Sequence, residues 1–471
     1  MDRQQQSTDD LQRPCSGLNR RHLLLGAAGL AFGGLVSRYA IASGLPPGDR
    51  PDSTPEEPPA SAFYGSLRPV RDETTGLCLL ALPPGFRYLS FGWTGDRMSD
   101  GRPTPGLHDG MAVVAADGDT LTLIRNHELT AGEPFASVVY DPLAGGGTTT
   151  LTFDARRGQW LESFASLSGT TTNCAGGPTP WGSWLSCEEN TTGPELDPAL
   201  KTHGWVFEVP ASGQASAEPL RAMGRFKHEA VAVDPATGIC YLTEDQLSSG
   251  FYRFLPVQYG RLDRGGRLQM LRVTHADNID LSAGYPNDTR WSVSWVDIDD
   301  PEQVHAPGTR NGQGVFAQGW ARGGARLARG EGCWHDSGLI YFTATTGGAA
   351  GLGQVFEYDP AREQLRLVFE SPGAAVLDAP DNIAVSPRGG IVLCEDGARQ
   401  RMLLHGLTRA GEIFPFAENN VVLQGERNGL IGNFTQREWC GACFYGEWLF
   451  VNIQTPGITF AITGDWDNGP L

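Results

Sequence analysis

The chain has 471 residues, with 62 Gly and 32 Pro, and charged residues make up only 19% of it. That profile suits frequent turns between short strands and argues against a helical protein, which would carry more Leu, Lys and Glu. The formal net charge of −18 excludes non-specific nucleic-acid binding, which needs a basic footprint, and leaves two readings of the acid: a solvated surface, or carboxylates converging on hard cations.

Residues 1–45 read as a leader. Arg20-Arg21 precedes the weakly apolar, glycine-rich run Leu23–Val36, and Ala40-Ile41-Ala42 supplies small residues for cleavage, the pattern of a twin-arginine (Tat) signal. The run is shorter than the ~18 apolar residues that a membrane span needs. A protein exported by the Tat machinery to the periplasm or beyond is expected, with no stable membrane span. Residues 46–68, rich in Pro and acid, read as a disordered linker, and residues 69–471 as a single domain.

From Leu79 onward no long 3.6-residue periodicity occurs, and one unit recurs instead: a strand, a turn rich in Gly, Asp and Pro, a second strand, then a cluster of acidic or amide residues. Gly110–Val114 and Leu121–Ile124 lead to Asn126-His127-Glu128. Glu229–Val233 and Ile239–Leu242 lead to Glu244-Asp245, and Asp381–Val385 and Ile391–Leu393 lead to Glu395-Asp396. Weaker copies lie at Trp181–Glu189, Leu339–Thr345 and Trp448–Gln454. From Asn126 the cluster positions Glu188, Glu244, Thr345, Glu395 and Gln454 follow at intervals of 62, 56, 101, 50 and 59 residues. Such a repeat of antiparallel strands predicts an all-β, six-bladed β-propeller with insertions on one face. The long interval leaves room for a seventh unit, and Asn278–Asp300 reads as a polar insertion; a pair of β-sandwiches is the structural alternative.

In a propeller, equivalent strand ends face one central opening. The clusters that would meet there are Asn126, His127 and Glu128; Cys174, Glu188 and Glu189; His228 and Glu229; Glu244 and Asp245; Arg329 and Glu331; Asp378, Asp381 and Asn382; and Glu395 and Asp396. Glu244 and Glu395 read as the inward members of their pairs, with Asp245 and Asp396 at the surface. So many carboxylates cannot stay ionised together without cations. Oxygen donors suit Ca²⁺, and a thiolate among them points to a transition metal such as iron. Cys174 has the poorest structural excuse of the cysteines, since it reads as part of a Gly/Pro loop, whereas Cys240 and Cys394 sit in apolar runs and suit packing. Cys440-x-x-Cys443 could form a disulfide, bind a metal or pack. No G-x-S-x-G elbow, phosphate-binding Gly-rich loop or H-E-x-x-H motif is present, so serine-nucleophile and nucleotide-dependent chemistries lose support.

Asn126-His127-Glu128, the stretch Asn173–Gly182 with Cys187-Glu188-Glu189-Asn190, Gly224–Glu229 and Asp378-Ala379-Pro380-Asp381-Asn382 resemble the PhoX family of bacterial alkaline phosphatases. The resemblance spans about Pro69 to Gly464. It implies a Tat-exported, monomeric propeller phosphatase holding Fe³⁺ and Ca²⁺. By motif position, Cys174 and Glu189 would be iron ligands, Glu229 and Glu331 bridging or calcium ligands, and Asp378 or Asp381 a further ligand, with Glu128 and Glu244 as acids of the same centre. Arg329 would bind the substrate phosphate as a fork, helped by Lys227. Two alternatives of other kinds are a calcium-dependent, lactonase-like propeller hydrolase and a calcium-stabilised binding propeller without turnover.

Overall fold

A computed structural model describes residues 59–213 and 215–471. The leader and residues 46–58 of the expected linker lie outside them. Residues 59–68 are folded: Ala60–Ser61 pairs with Gly65–Ser66, and Tyr64 and Leu67 are buried. Among the described residues no helix is long and apolar enough to cross a membrane.

The chain forms six antiparallel sheet units, whose first strands are His108–Asp117, Asn173–Pro178, His228–Val233, Gly330–Asp336, Pro380–Val385 and Trp439–Tyr445. Each first strand packs beside the next, and the sixth packs beside the first, so these strands close a ring around an axis. This is a β-propeller, and the ring excludes two sandwiches. Closure uses both ends of the chain. Arg87–Phe91 pairs with Ile458–Thr463 to complete the sixth sheet, while Leu80–Leu82 adds to the edge of the fifth.

The interval between Glu244 and Thr345 holds no seventh unit. Arg290–Asp297, within the expected insertion, is a strand that pairs with Gly266–Val273 of unit three and with Gln364–Glu370 of unit four, and the short helix Gly314–Trp320 follows it. The apolar core lies between sheets and not on the axis. Met111, Leu123, Trp184, Phe207 and Phe450 join units one, two and six, and Phe251, Phe342 and Phe356 join units three and four. Burial of such side chains supplies the main driving force.

The glycines of the stretch first read as a loop have a packing reason. A Cβ at Gly177 would stand 1.7 Å from Val231 O of the next inner strand, and one at Gly110, on the inner strand before, would stand 2.5 Å from Ala175 Cα. Neighbouring inner strands therefore approach backbone to backbone, which only small residues permit. Cys174 accordingly lies in a strand, Asn173–Pro178, and not in a loop.

Candidate metal centre

One construction is repeated around the axis. The residue after the second strand of each unit donates its backbone N–H to the carbonyl of the residue before the first strand. These bonds run from Glu128 to Leu107 (2.9 Å), Glu189 to Thr172 (2.9 Å), Asp245 to Lys227 (3.2 Å), Thr345 to Arg329 (2.8 Å), Asp396 to Ala379 (2.9 Å) and Gln454 to Glu438 (3.3 Å). Two residues on from each acceptor stand Asp109, Cys174, Glu229, Glu331, Asp381 and Cys440. In the first five units a β-bulge falls at these residues, and in unit six it falls one residue later, at Gly441-Ala442. A bulge re-aims side chains at a strand end, which suits a site.

The result is a linked set of donors. Cys174, Glu189 and Glu229 form one group; Glu229, Glu331 and Asp381 a second; Asp381, Asp396 and Glu438 a third; and Asp109, Glu128 and Glu438 a fourth, the ligand atoms of each lying within 4.8 Å of one another. Glu229, Asp381 and Glu438 are shared between groups, so one thiol and eight carboxylates form a continuous cluster. Asn126 fixes its thiol corner: Nδ2 donates to the carbonyls of Cys174 (3.1 Å) and Ala175 (2.7 Å), while Oδ1 accepts from Trp184 Nε1 and Ser186 Oγ.

Burial and mutual repulsion dominate the electrostatics. Burial first, then Glu189 and Asp396, pushes Glu128 up to about 8. Burial and Asp245 push Glu189 up to about 8, and burial and Asp396 do the same for Asp381. Asp109, Glu229, Glu331 and Glu438 are held well above the usual carboxylate range, by burial and then by neighbouring carboxylates. Burial, with Glu229 and Glu189 adding to it, also keeps the Cys174 thiol well above its ordinary value. Nitrogen donors reach the cluster from three side chains. Gln454 Nε2 donates to Glu128 (2.6 Å), Lys227 Nζ lies 3.5 Å from Glu189, and Arg329 Nη2 lies 2.6 Å from Glu331. Arg329, at a left-handed φ of 53°, also donates from Nε and Nη2 to the two oxygens of Asp245 (2.8 and 3.1 Å). Both cations remain partly exposed, Lys227 at 39% and Arg329 at 32% of their side chains. Eight carboxylates against two cations is the donor chemistry of a multi-cation centre, and the single thiol adds a site for a softer metal.

Of the residues expected from sequence, Cys174, Glu189, Glu229, Glu331, Asp381 and Glu128 lie in the cluster, with Arg329 and Lys227 beside it. Two do not. Glu244 points into its own sheet, where Oε2 accepts from Tyr252 Oη (2.6 Å) and Gly250 N (3.1 Å), and Asp245 is the member that reaches Arg329. Asp378 accepts from Ala398 N (2.8 Å) and caps that turn. The same alternation turns Glu395 into the sheet and places Asp396 in the cluster, against expectation. His127 and His228 are structural, bonded to Gly106 O, Thr149 Oγ1 and Gly224 O. Asp109 and Glu438, neither of them singled out from the sequence, complete the donor set together with Asp396. The signal for Asp109 was present: an acid or thiol followed by Gly, Ala or Asn begins each of the first five inner strands. Cys440 and Cys443 are buried free thiols, and Cys440 Sγ donates to His108 O as Cys174 Sγ donates to His228 O.

The fold and the cluster define a β-propeller with an axial site of carboxylates and a thiol that could hold metal ions. A profile of the alkaline phosphatase PhoX family matches residues 64–163 and 161–457, and the chain belongs to that family of metal-dependent phosphoric ester hydrolases. Its fold is similar to Pseudomonas fluorescens PhoX in complex with vanadate, a transition state analogue, with TM-score 0.61 and 18% identity over 86% of this chain and 98% of that chain. A putative gluconolactonase aligns with TM-score 0.40 and 12% identity over 85% and 98% of the two chains, and a luciferin-regenerating enzyme with TM-score 0.38 and 9% identity over 76% and 92%. Neither of these two bears on the functional reading. No curated protein matches the sequence.

Proposed function

We propose that the protein hydrolyses phosphate mono- or diesters at the axial cluster, with iron and calcium as its ions. The carrying observation is the juxtaposition of a donor cluster containing a thiol with two partly exposed cations, Lys227 and Arg329, on the same rim. Cys174 with Glu189 and Glu229 would hold iron, and the all-carboxylate groups would hold calcium. Ions held by these residues would neutralise the carboxylates and supply a Lewis acid for a phosphoryl oxygen.

The chain supplies the rest. Asp245 and Glu331 engage the Arg329 guanidinium through Nε and Nη2, which leaves Nη1 as the donor for a phosphate oxygen, in place of the fork expected from the sequence. Lys227 adds a second positive charge near Glu189. Together they orient the ester and stabilise charge that develops on the phosphoryl oxygens. Neither a lactonase nor a calcium-stabilised binder calls for a thiol among its donors, so Cys174 within the set favours the phosphatase. The leader and the family support a monomer exported by the Tat machinery to the periplasm or beyond.

Hydrolysis of 4-nitrophenyl phosphate with and without chelator tests this reading. Release of nitrophenol that chelator abolishes is expected, with kcat/KM lowered roughly 10²–10³-fold in Arg329→Gln. No release, or release indifferent to both chelator and Arg329→Gln, would contradict it.

A further inference from the structure

A second regularity runs around the axis, between units and not within them. The residue two positions before each closing N–H donor is Asn126, Cys187, Thr243, Thr343, Cys394 and Asn452 in units one to six, and all of these are fully buried. In four units it reaches across to the next inner strand. Asn126 Nδ2 donates to the carbonyl of Cys174 (3.1 Å), Asn452 Nδ2 to that of Asp109 (2.7 Å), Thr343 Oγ1 to that of Asp381 (2.7 Å) and Thr243 Oγ1 to that of Glu331. Units two and five carry a thiol in that place, which is a weak donor.

Each accepting carbonyl belongs to a residue whose side chain lies in the axial cluster, and each sits at a β-bulge. A bulge takes its extra residue out of the ladder, so a backbone group in this buried ring needs a partner from elsewhere. Asn and Thr differ in length and shape, and what they share at this place in the repeat is a buried donor. The hydrogen bond, more than the packing, is therefore what the position holds constant.

We propose that Asn126, Thr243, Thr343 and Asn452 are positioning residues of the metal centre. Each pins the backbone of a donor residue in the next unit and so aims its carboxylate or thiol at the axis. The inference rests on the proposed function, since ions must bind at the cluster for that aim to matter. Hydrogen bonds behind a metal ligand fix its orientation, and loss of such a partner costs roughly 10–100-fold in metal affinity.

Thr343→Val separates aim from packing, because it keeps the branched shape and removes the one donor to Asp381. In a calorimetric titration of the chelated full chain with Ca²⁺, the midpoint of uptake is expected to rise roughly 10-fold in Thr343→Val and to keep its native value in Thr343→Ser. A lowered melting temperature of metal-free Thr343→Val with an unmoved midpoint would mean that the bond only holds the sheets together, and overturns the proposal. A midpoint displaced as far in Thr343→Ser as in Thr343→Val overturns it too. Native protein that takes up no calcium overturns this proposal together with the proposed function, whereas native uptake with no displacement in Thr343→Val overturns this proposal alone.

Discussion

Glu188 and Glu189 are neighbours in the chain and opposites in the fold. The Glu188 carboxylate is sealed inside its sheet and accepts from Thr171 N, Gly204 N, Trp205 N and the His203 ring. The Glu189 carboxylate faces the axis with Cys174 and Glu229, and Lys227 lies 3.5 Å away. Glu395 and Asp396 repeat the contrast, as do Glu244 and Asp245. Strand alternation alone sorts the pairs, since successive residues point to opposite faces. One face receives enough hydrogen bonds to keep a buried carboxylate satisfied. On the other, carboxylates crowd together, which is tolerable only with cations or protons.

The largest effect that would break this comparison is on stability. Glu188→Ala strips a buried histidine and three backbone N–H groups of their acceptor, and a loss of about 3–5 kcal/mol in urea unfolding is expected, with the metal content of the folded fraction retained. Burial alone would lower the His203 pKa, but Glu188 and Asp141 outweigh it and raise it, so the histidine loses a charge partner as well. Glu189→Ala is expected to do the reverse: metal is lost and metal-free stability holds. Equal effects at the two positions would dissolve the contrast.

A pH series on chelated protein is the next test. Glu128, Glu189 and Asp381 are pushed up to about 8 by burial and by one another's neighbours. Raised folded-state values mean that the folded state binds more protons than the unfolded state between about pH 4 and pH 8. The stability of metal-free protein is therefore full below the ordinary carboxylate range and is lost as pH rises through 8. The urea midpoint should fall from pH 5 to pH 9, and restored metal should flatten the slope. A midpoint that rises with pH would mean that these carboxylates are satisfied without cations. The smallest expected effect is that of Glu244→Gln, about 1 kcal/mol, because one hydrogen bond from Tyr252 or Gly250 is weakened while the cluster keeps its charge.

Much of this architecture is legible in the sequence because each sheet begins with a strand, a turn and a second strand, and four of the six add an acidic end. The register at those ends is harder to read. A one-residue difference moves a carboxylate from axis to sheet, and nothing in Glu244-Asp245 taken alone says which member points inward; the donors that claim Glu244 are Tyr252, in the next strand, and Gly250, just before it. Asp378 misleads for a similar reason, since it sits three residues before Asp381 and looks equivalent, yet it caps a turn. Glu438 escapes because the inner strand of unit six shifts its bulge by one residue, so that its acid stands before the strand and not within it. The glycines around Cys174 suggest a loop to a sequence reader, whereas close packing of inner strands requires them.

On the proposed reading, the axial thiol and carboxylates hold iron and calcium together. Elemental analysis of protein exported with its own leader, compared with Cys174→Ala prepared in the same way, tests it most directly. Iron and calcium are expected in the native protein, with iron lost and calcium largely kept in the variant. Native protein without iron, or a variant with unchanged iron, would contradict it.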